Sequence, residues 1–132
     1  MSEKLSKRQL GELPTPSTAI TSGVSVVGDG GSVTLRFEFD RDGDIFKSGV
    51  TFARVRATQW RAESHCTVWH IEGAYDTVVE VDGSPWVAEL EASQSSSPRT
   101  PWVMKHFMLF IDSEGCFEFV AESFELIEPQ AV

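Results

Sequence analysis

Four side chains of the kinds that bind zinc lie within one short stretch of the sequence. They are His65, Cys66, His70 and Glu72, and proteins hold zinc with imidazole, thiolate and carboxylate groups of this kind. On a strand, Cys66, His70 and Glu72 would share one face, whereas on a helix Cys66 and His70 would lie one turn apart. No His-Glu-x-x-His pattern and no paired Cys-x-x-Cys pattern accompanies them, so the spacing is not specific for zinc. We expect these groups to form hydrogen bonds that fix a folded loop.

Three aspartates at alternate positions match the start of a calcium-binding loop. Asp40, Asp42 and Asp44 take its first, third and fifth places, which supply carboxylate ligands. The sixth place needs glycine for a sharp turn but holds Ile45, and the twelfth needs a bidentate glutamate but holds Thr51. We therefore expect a solvated turn between two strands here rather than a cation site.

No motif for covalent catalysis or cofactor binding occurs in the sequence. The serine pattern G-x-S-x-G, the dinucleotide pattern G-x-G-x-x-G and the P-loop are all absent. Cys66 and Cys116 have no Lys or Arg beside them and form no Cys-x-x-Cys pair, so nothing in the sequence activates either thiol. We expect two reduced thiols, no catalytic residue, no bound metal and no cofactor.

Four residues are candidates for a ligand-binding pocket: Arg54, Trp86, Trp102 and His106. The two tryptophans flank a serine-rich stretch, where they would line the mouth of a pocket or anchor a partner. Core packing is the alternative explanation for each tryptophan. Arg54 also has an alternative, because it shares a predicted strand face with Arg56 and both would pair with acids of a neighbouring strand.

Negative charge is concentrated in the second half of the chain. The 132 residues carry a net charge of −9, and residues 62–132 hold thirteen Asp and Glu against Arg99 and Lys105. Such a field repels phosphate backbones and anionic lipid headgroups, so we expect neither nucleic acid nor a membrane as a partner. It would attract a basic protein. The plainer explanation is that acidity keeps a bacterial-type cytosolic protein soluble.

The composition of the N-terminal segment predicts a flexible tail. Residues 1–22 have few apolar side chains and several Pro, Ser and Thr, so we expect a flexible tail over 1–22 before a single β-rich domain over 23–132. The segment lacks the apolar core of a secretory signal, and we expect a cytoplasmic location.

Period-two alternation predicts the first strands. Apolar and polar residues alternate from Val33 to Phe39, which is typical of a half-buried strand, and the glycines of residues 28–31 predict a tight turn before it. The apolar phase slips by one residue at Phe52, which predicts a bulge. We interpret residues 33–58 as a hairpin.

Further along, Ser84 followed by Pro85 is typical of a helix start, and we expect about two turns there. Residues 103–111 are apolar at both phases, which predicts a central strand covered on both faces. In residues 117–122 apolar side chains alternate with Glu118 and Glu122, which predicts a half-exposed partner strand.

These elements favour a mainly β fold, an antiparallel meander that forms a small barrel or a curled sheet with one short helix. A two-layer α+β sheet is the alternative. For function, we expect a non-enzymatic module that binds a basic protein, for example an immunity protein that covers the active site of a nuclease toxin. One alternative is a small-molecule-binding barrel or small enzyme with its pocket at Trp86, Trp102 and His106, and another is a structural homodimer.

Overall fold

The computed structural model describes residues 5–93 and 102–132 and shows two antiparallel sheets. Strands β1 to β9 of the described residues are, in order, Ser6–Glu12, Ser25–Asp29, Ser32–Arg41, Asp44–Ala53, Ala57–Arg61, Thr77–Asp82, Lys105–Ile111, Gly115–Ala121 and Ser123–Ala131. Helices α1 and α2 span Val68–Ile71 and Pro85–Ala92, and single 3-10 turns lie at Ser17–Ala19 and Glu63–His65. The first sheet has the order β1-β6-β7-β8-β5 and the second β2-β3-β4-β9.

The second sheet is built on the β3–β4 hairpin, which pairs without interruption from Val33–Phe52 to Arg41–Asp44. Its turn uses Asp42 and Gly43, both with positive φ, and Asp40 accepts a hydrogen bond from the Gly43 amide at 2.9 Å. Gly49 is required for a different reason, because a Cβ atom there would lie 1.9 Å from the carbonyl oxygen of Leu35.

The core lies between the two sheets. Phe52 of β4 stacks on Phe119 of β8 with ring centroids 4.1 Å apart, and Phe107 of β7 lies 5.8 Å from Phe52. Leu35 and Leu109 complete this layer and are fully buried. Burial of these apolar side chains is the main force that holds the sheets face to face.

A second, smaller apolar cluster covers the outer face of the first sheet. Met108, Phe110 and Cys116 point away from the inter-sheet core and pack with Ala74 and with Ile71 of α1. β7 and β8 are therefore buried on both faces. The prediction that residues 103–111 hold a central strand is confirmed, since β7 lies in the middle of the five-stranded sheet.

The predicted mainly β fold is confirmed, with two antiparallel sheets. In the described part of the chain the sheets are not closed into a barrel, and there are two helices rather than one. The helix predicted at Ser84 is confirmed as α2, because the Ser84 hydroxyl accepts a hydrogen bond from the Val87 amide at 3.3 Å.

The expectation of a flexible tail over residues 1–22 is wrong for most of that segment. β1 is an edge strand that pairs with β6, and Leu13 is 7% exposed within the inter-sheet core. β1 is held in place by its pairing with β6, and most of its side chains are exposed. Its sequence therefore needs little apolar alternation.

Three further expectations are corrected. The hairpin over 33–58 ends at Ala53, where Arg54 has positive φ and the chain crosses to the first sheet, so the apolar phase slips at a strand end. The register shift instead lies opposite Lys47 and Gly49, where β9 has one extra residue between Ile127 and Gln130, so the bulge is in β9. β8 is not half-exposed, since even Glu118 is only 4% exposed beneath the outer-face packing.

Candidate functional site

Four polar side chains form one hydrogen-bonded chain across the outer face of the first sheet. The amide of Gln59 donates to Glu118 Oε2 at 2.7 Å, and Glu118 Oε1 lies 2.7 Å from Nε2 of His106. Nδ1 of His106 lies 2.8 Å from the hydroxyl of Ser84. We call this set the Ser84–Gln59 chain.

Strand register places these four residues together. Gln59 of β5 is directly opposite Glu118 of β8, and Met108 of β7 is opposite Glu118 on the other side. His106 is two residues before Met108, so it shares the outer face and is the diagonal neighbour of Glu118. Ser84 arrives from the short connection after β6, where Gly83 takes a positive φ of 73° and turns the chain into α2.

The hydrogen-bond partners indicate which nitrogen of the His106 ring carries the hydrogen. A carboxylate only accepts, so Nε2 carries the hydrogen shared with Glu118. The Ser84 oxygen already accepts from the Val87 amide, which leaves its hydrogen free to donate to Nδ1. With these hydrogen positions, which are assigned from the partners, each ring nitrogen of His106 has one hydrogen bond.

The carboxylate of Glu118 stays ionised despite its burial. Burial acts to raise the pKa of Glu118, but the hydrogen bonds that it accepts from His106 and Gln59 outweigh that effect and leave the pKa below its usual range. The side chains of His106 and Glu118 are only 9% and 5% exposed. Charge–dipole interactions between them are therefore weakly screened.

A groove with a volume of about 370 Å³ opens beside Ser84 and His106, between the end of β6 and α2. We call it the α2 groove. Its apolar lining includes Val81, Val87 and Met104, and its charged lining includes Glu80, Asp82, Glu91 and Lys105. The Ser84 hydroxyl and the His106 ring thus reach a surface that a ligand can occupy.

The order of groups in the chain is that of a nucleophile, a general base and an orienting carboxylate. The His106 ring is reversed relative to the usual serine–histidine–aspartate triad, because the serine faces Nδ1 and the carboxylate faces Nε2. Which ring nitrogen carries the hydrogen is set by the hydrogen bond that the other one makes, and here Nδ1 is the nitrogen that faces Ser84. The arrangement is therefore able to take a proton from Ser84 and hold the resulting imidazolium against Glu118.

The structure brings together only two of the four predicted pocket residues. The Trp86 ring meets the His106 ring edge-on with centroids 5.1 Å apart. Trp102 instead stacks with the Arg56 guanidinium, which lies 3.8 Å from its ring centroid. Arg54 forms an exposed ion pair with Glu122 at 3.1 Å, so it joins the two points where the chain crosses between sheets.

Sequence reasoning did not find Gln59 and Glu118, and it considered Ser84 only as a helix cap. The signal for His106 was available, since it shares the apolar phase of Met108 and Phe110 on a strand covered on both faces. A buried histidine needs partners. Nothing in the spacing of the sequence says that those partners come from positions 59, 84 and 118.

Two of the four zinc-type side chains, Cys66 and His70, form local hydrogen bonds of the kind expected for this stretch. Nδ1 of His70 accepts a hydrogen bond from the Thr67 amide at 2.9 Å and so caps α1, and the Cys66 thiol contacts the carbonyl oxygen of Ala62 at 3.4 Å. Burial raises the pKa of both Cys66 and Cys116. Among residues 5–93 and 102–132, no three His, Cys, Asp or Glu side chains are placed to hold a metal ion.

Much of the acidic second half is already engaged inside the molecule. Arg8 pairs with Glu80 at 3.0 Å and with Asp82 at 3.3 Å. Other carboxylates accept hydrogen bonds from backbone amides, and these are Glu63 from Ser113, Asp76 from Ser17 and Glu114 from Val24. The exposed carboxylates that remain lie on several elements, with Glu89 and Glu91 together on α2 and Glu125 and Glu128 on β9.

A larger cavity of about 620 Å³ lies on the outer face of the second sheet. Its charged lining residues Arg36, Glu38 and Lys47 are exposed, and Glu38 is directly opposite Lys47 in the strand pair. The charges there are solvated and partly balanced, so the α2 groove is the stronger candidate site.

No protein-family model, curated protein or solved structure matches this chain. In the ranges 5–93 and 102–132, no helix is long and apolar enough to cross a bilayer.

Proposed function

We propose that the protein binds a positively charged segment of another protein in the α2 groove. The observation that carries this proposal is the composition of the groove, in which Glu80, Asp82 and Glu91 surround an apolar lining. A lysine or arginine side chain matches this surface, because its methylene groups pack on apolar atoms while its charged end reaches a carboxylate.

The charges around the groove leave an excess that a partner would neutralise. A single guanidinium, that of Arg8, serves both Glu80 and Asp82. Glu89 and Glu91 of α2 form no ion pair within the described residues. Among residues 5–93 and 102–132, Lys105 is the one lysine or arginine in the groove lining. Unpaired carboxylates beside an apolar surface favour association with a basic partner and speed the encounter.

A nuclease toxin is the version of this partner that we favour. A nuclease active site is basic because it holds phosphate groups. The carboxylates of α2 would occupy the place of those phosphates and so block the active site, as an immunity protein does. In this proposal the captured partner loses its nuclease activity in the complex.

Charge reversal on α2 tests the proposal against a matched control. The test variant carries Glu89→Lys and Glu91→Lys, and the control carries Glu125→Lys and Glu128→Lys on β9. Both pairs are exposed, and both change the net charge by the same amount. Tagged proteins are used to capture partners from host lysate at low and high salt, and captured proteins are identified by mass spectrometry.

We expect a basic protein that is captured by wild type and by the β9 variant, released at high salt and lost from the α2 variant. Equal loss from both variants would show that only net charge matters. Equal capture by all three proteins would show that α2 is not the contact surface. Either result contradicts the proposal.

A further inference from the structure

We propose that Ser84 is an activated nucleophile that accepts acyl groups from small esters, with His106 as its general base and Glu118 as the positioning residue. This activity uses the same α2 groove as the docking proposed above, but its chemistry depends on the buried Ser84–Gln59 chain, whereas docking depends on the carboxylates around the groove. The juxtaposition that supports it is the hydroxyl of Ser84 at 2.8 Å from Nδ1 and the carboxylate of Glu118 at 2.7 Å from Nε2.

His106 lies close enough to Ser84 to act as its general base. A base must lie within hydrogen-bonding distance of the proton that it removes, and Nδ1 of His106 does so. Glu118 holds the opposite side of the ring, and Gln59 holds Glu118 in turn at 2.7 Å. The ring therefore has no freedom to turn away from Ser84 without breaking a buried hydrogen bond.

The start of α2 provides donors for the charge that would form on the substrate. The first amides of a helix have no acceptor within the helix. The Val87 amide already points at the Ser84 oxygen from 3.3 Å. Because α2 has eight residues, its N-terminus adds a partial positive charge at the same place. Pro85 has no N–H and the Val87 amide donates to Ser84, so the Trp86 amide is the first-turn donor to which an oxyanion beside Ser84 would turn.

The α2 groove indicates the class of acyl group. A volume of about 370 Å³ with Val81, Val87 and Met104 in its lining accommodates a short aliphatic chain. The carboxylates of Glu80 and Glu91 in the same lining repel anionic acyl groups. We therefore assign short, uncharged or cationic acyl esters as the substrate class.

The reaction balances without an outside oxidant or reductant. The Ser84 oxygen bonds to the acyl carbon while its proton moves to Nδ1 of His106. The bond from the acyl carbon to the alcohol oxygen then breaks, and that oxygen leaves with the electron pair and takes the proton from Nδ1. Water then reacts by the same route, with its proton passing through Nδ1 back to the Ser84 oxygen, and releases the carboxylic acid.

If the Ser84–Gln59 chain only stabilised the fold, Ser84 would not react with an electrophile. Covalent labelling therefore tests the proposal. Full-length protein is treated with a fluorophosphonate probe, the labelled serine is identified by peptide mass spectrometry, and release of p-nitrophenol from p-nitrophenyl butyrate is followed in parallel. We expect a single adduct at Ser84. Ser93 is more exposed but has no neighbouring histidine, and its hydroxyl donates to the Leu90 carbonyl, so we expect it to stay unlabelled.

Two variants test the mechanism. Ser84→Asn keeps a side chain that caps helices well while removing the nucleophile, so it should fold and give no adduct. His106→Gln should slow labelling of Ser84 by about 10²-fold or more, which is the usual contribution of a general base. If His106→Gln fails to fold, Glu118→Gln takes its place, with a decrease in the same direction.

The result that overturns the proposal is an absence of any Ser84 adduct in folded wild-type protein. A second such result is labelling of Ser84 at the wild-type rate in a folded His106 or Glu118 variant, because the hydroxyl would then react without help. The Glu125→Lys, Glu128→Lys protein should be labelled at the wild-type rate, which controls for net charge. Folded Glu118→Gln, whose altered group lies outside the lining of the α2 groove, should be labelled slowly but still capture the basic partner, so failure of this proposal is distinct from failure of docking.

Discussion

The two faces of the five-stranded sheet are both buried, but they are stabilised in different ways. The inner face presents Phe107 and Phe119 to Phe52 of the other sheet, and its buried positions in β7 and β8 are apolar. On the outer face, His106 and Glu118 lie among apolar neighbours and are held by directional hydrogen bonds. The inner face can therefore adjust its packing, whereas the outer face loses a whole interaction when one partner is removed.

The largest effect is expected at the inner face. Phe52→Ala removes a fully buried ring that contacts both Phe107 and Phe119, so it should lower the free energy of unfolding by about 3–5 kcal/mol. Urea unfolding measures this. Val26→Ala is the control, since Val26 is half exposed and should change stability by less than about 0.5 kcal/mol. Similar losses in the two variants would mean that Phe52 does not form the centre of the core.

Single substitutions on the outer face should lower the free energy of unfolding by less than Phe52→Ala does. The effects of two such substitutions should not add. Glu118→Leu leaves His106 and Gln59 without their acceptor, which should cost about 1–3 kcal/mol. Adding His106→Leu should cost less in this background than in wild type, with a coupling of about 0.5–3 kcal/mol between the two positions. A double-mutant cycle in urea measures this coupling. Strict additivity would show that the two side chains do not depend on each other.

The sequence predicts the inner face much better than the outer one. Apolar residues at both phases of residues 103–111 are sufficient to place β7 at the centre of a sheet, and Ser84 with Pro85 is sufficient to start α2. These signals are local, because each depends on neighbours in the chain.

The outer face depends on which elements cover it, and alternation cannot show that. Glu118 follows the polar phase of β8, so it was expected to face water, yet the structure buries it. The Ser84–Gln59 chain joins four separate segments whose spacing matches no motif. β1 was missed for a related reason, since pairing with β6 rather than apolar patterning makes it a strand.

Acidity should weaken the outer face selectively. The pKa of Glu118 is lower in the folded protein than its ordinary value, so its stabilising contribution is complete above the ordinary glutamate range and is lost as the pH falls through the folded pKa. We expect the stability difference between wild type and Glu118→Gln to shrink between about pH 5 and about pH 3, where glutamates ordinarily titrate. Urea unfolding of both proteins at each pH measures this difference.

The same pH series on Phe52→Ala provides the contrast. An apolar truncation leaves the titrating groups in place, so its difference from wild type should stay nearly constant with pH. If the Glu118→Gln difference were equally constant, the carboxylate would not be stabilised in its ionised form by His106 and Gln59.

The smallest effect is expected at the end of the chain, where Ser84 serves both α2 and His106. Ser84→Ala removes the acceptor for the Val87 amide and the partner of Nδ1, and loss of a helix cap of this kind costs about 1 kcal/mol. Ser84→Asn restores the cap but not the same partner for His106. If helix capping dominates, Asn should recover most of the lost stability in urea unfolding. If the hydrogen bond to His106 dominates, Asn should recover little, and Ser84 would then belong to the outer-face network more than to its own helix.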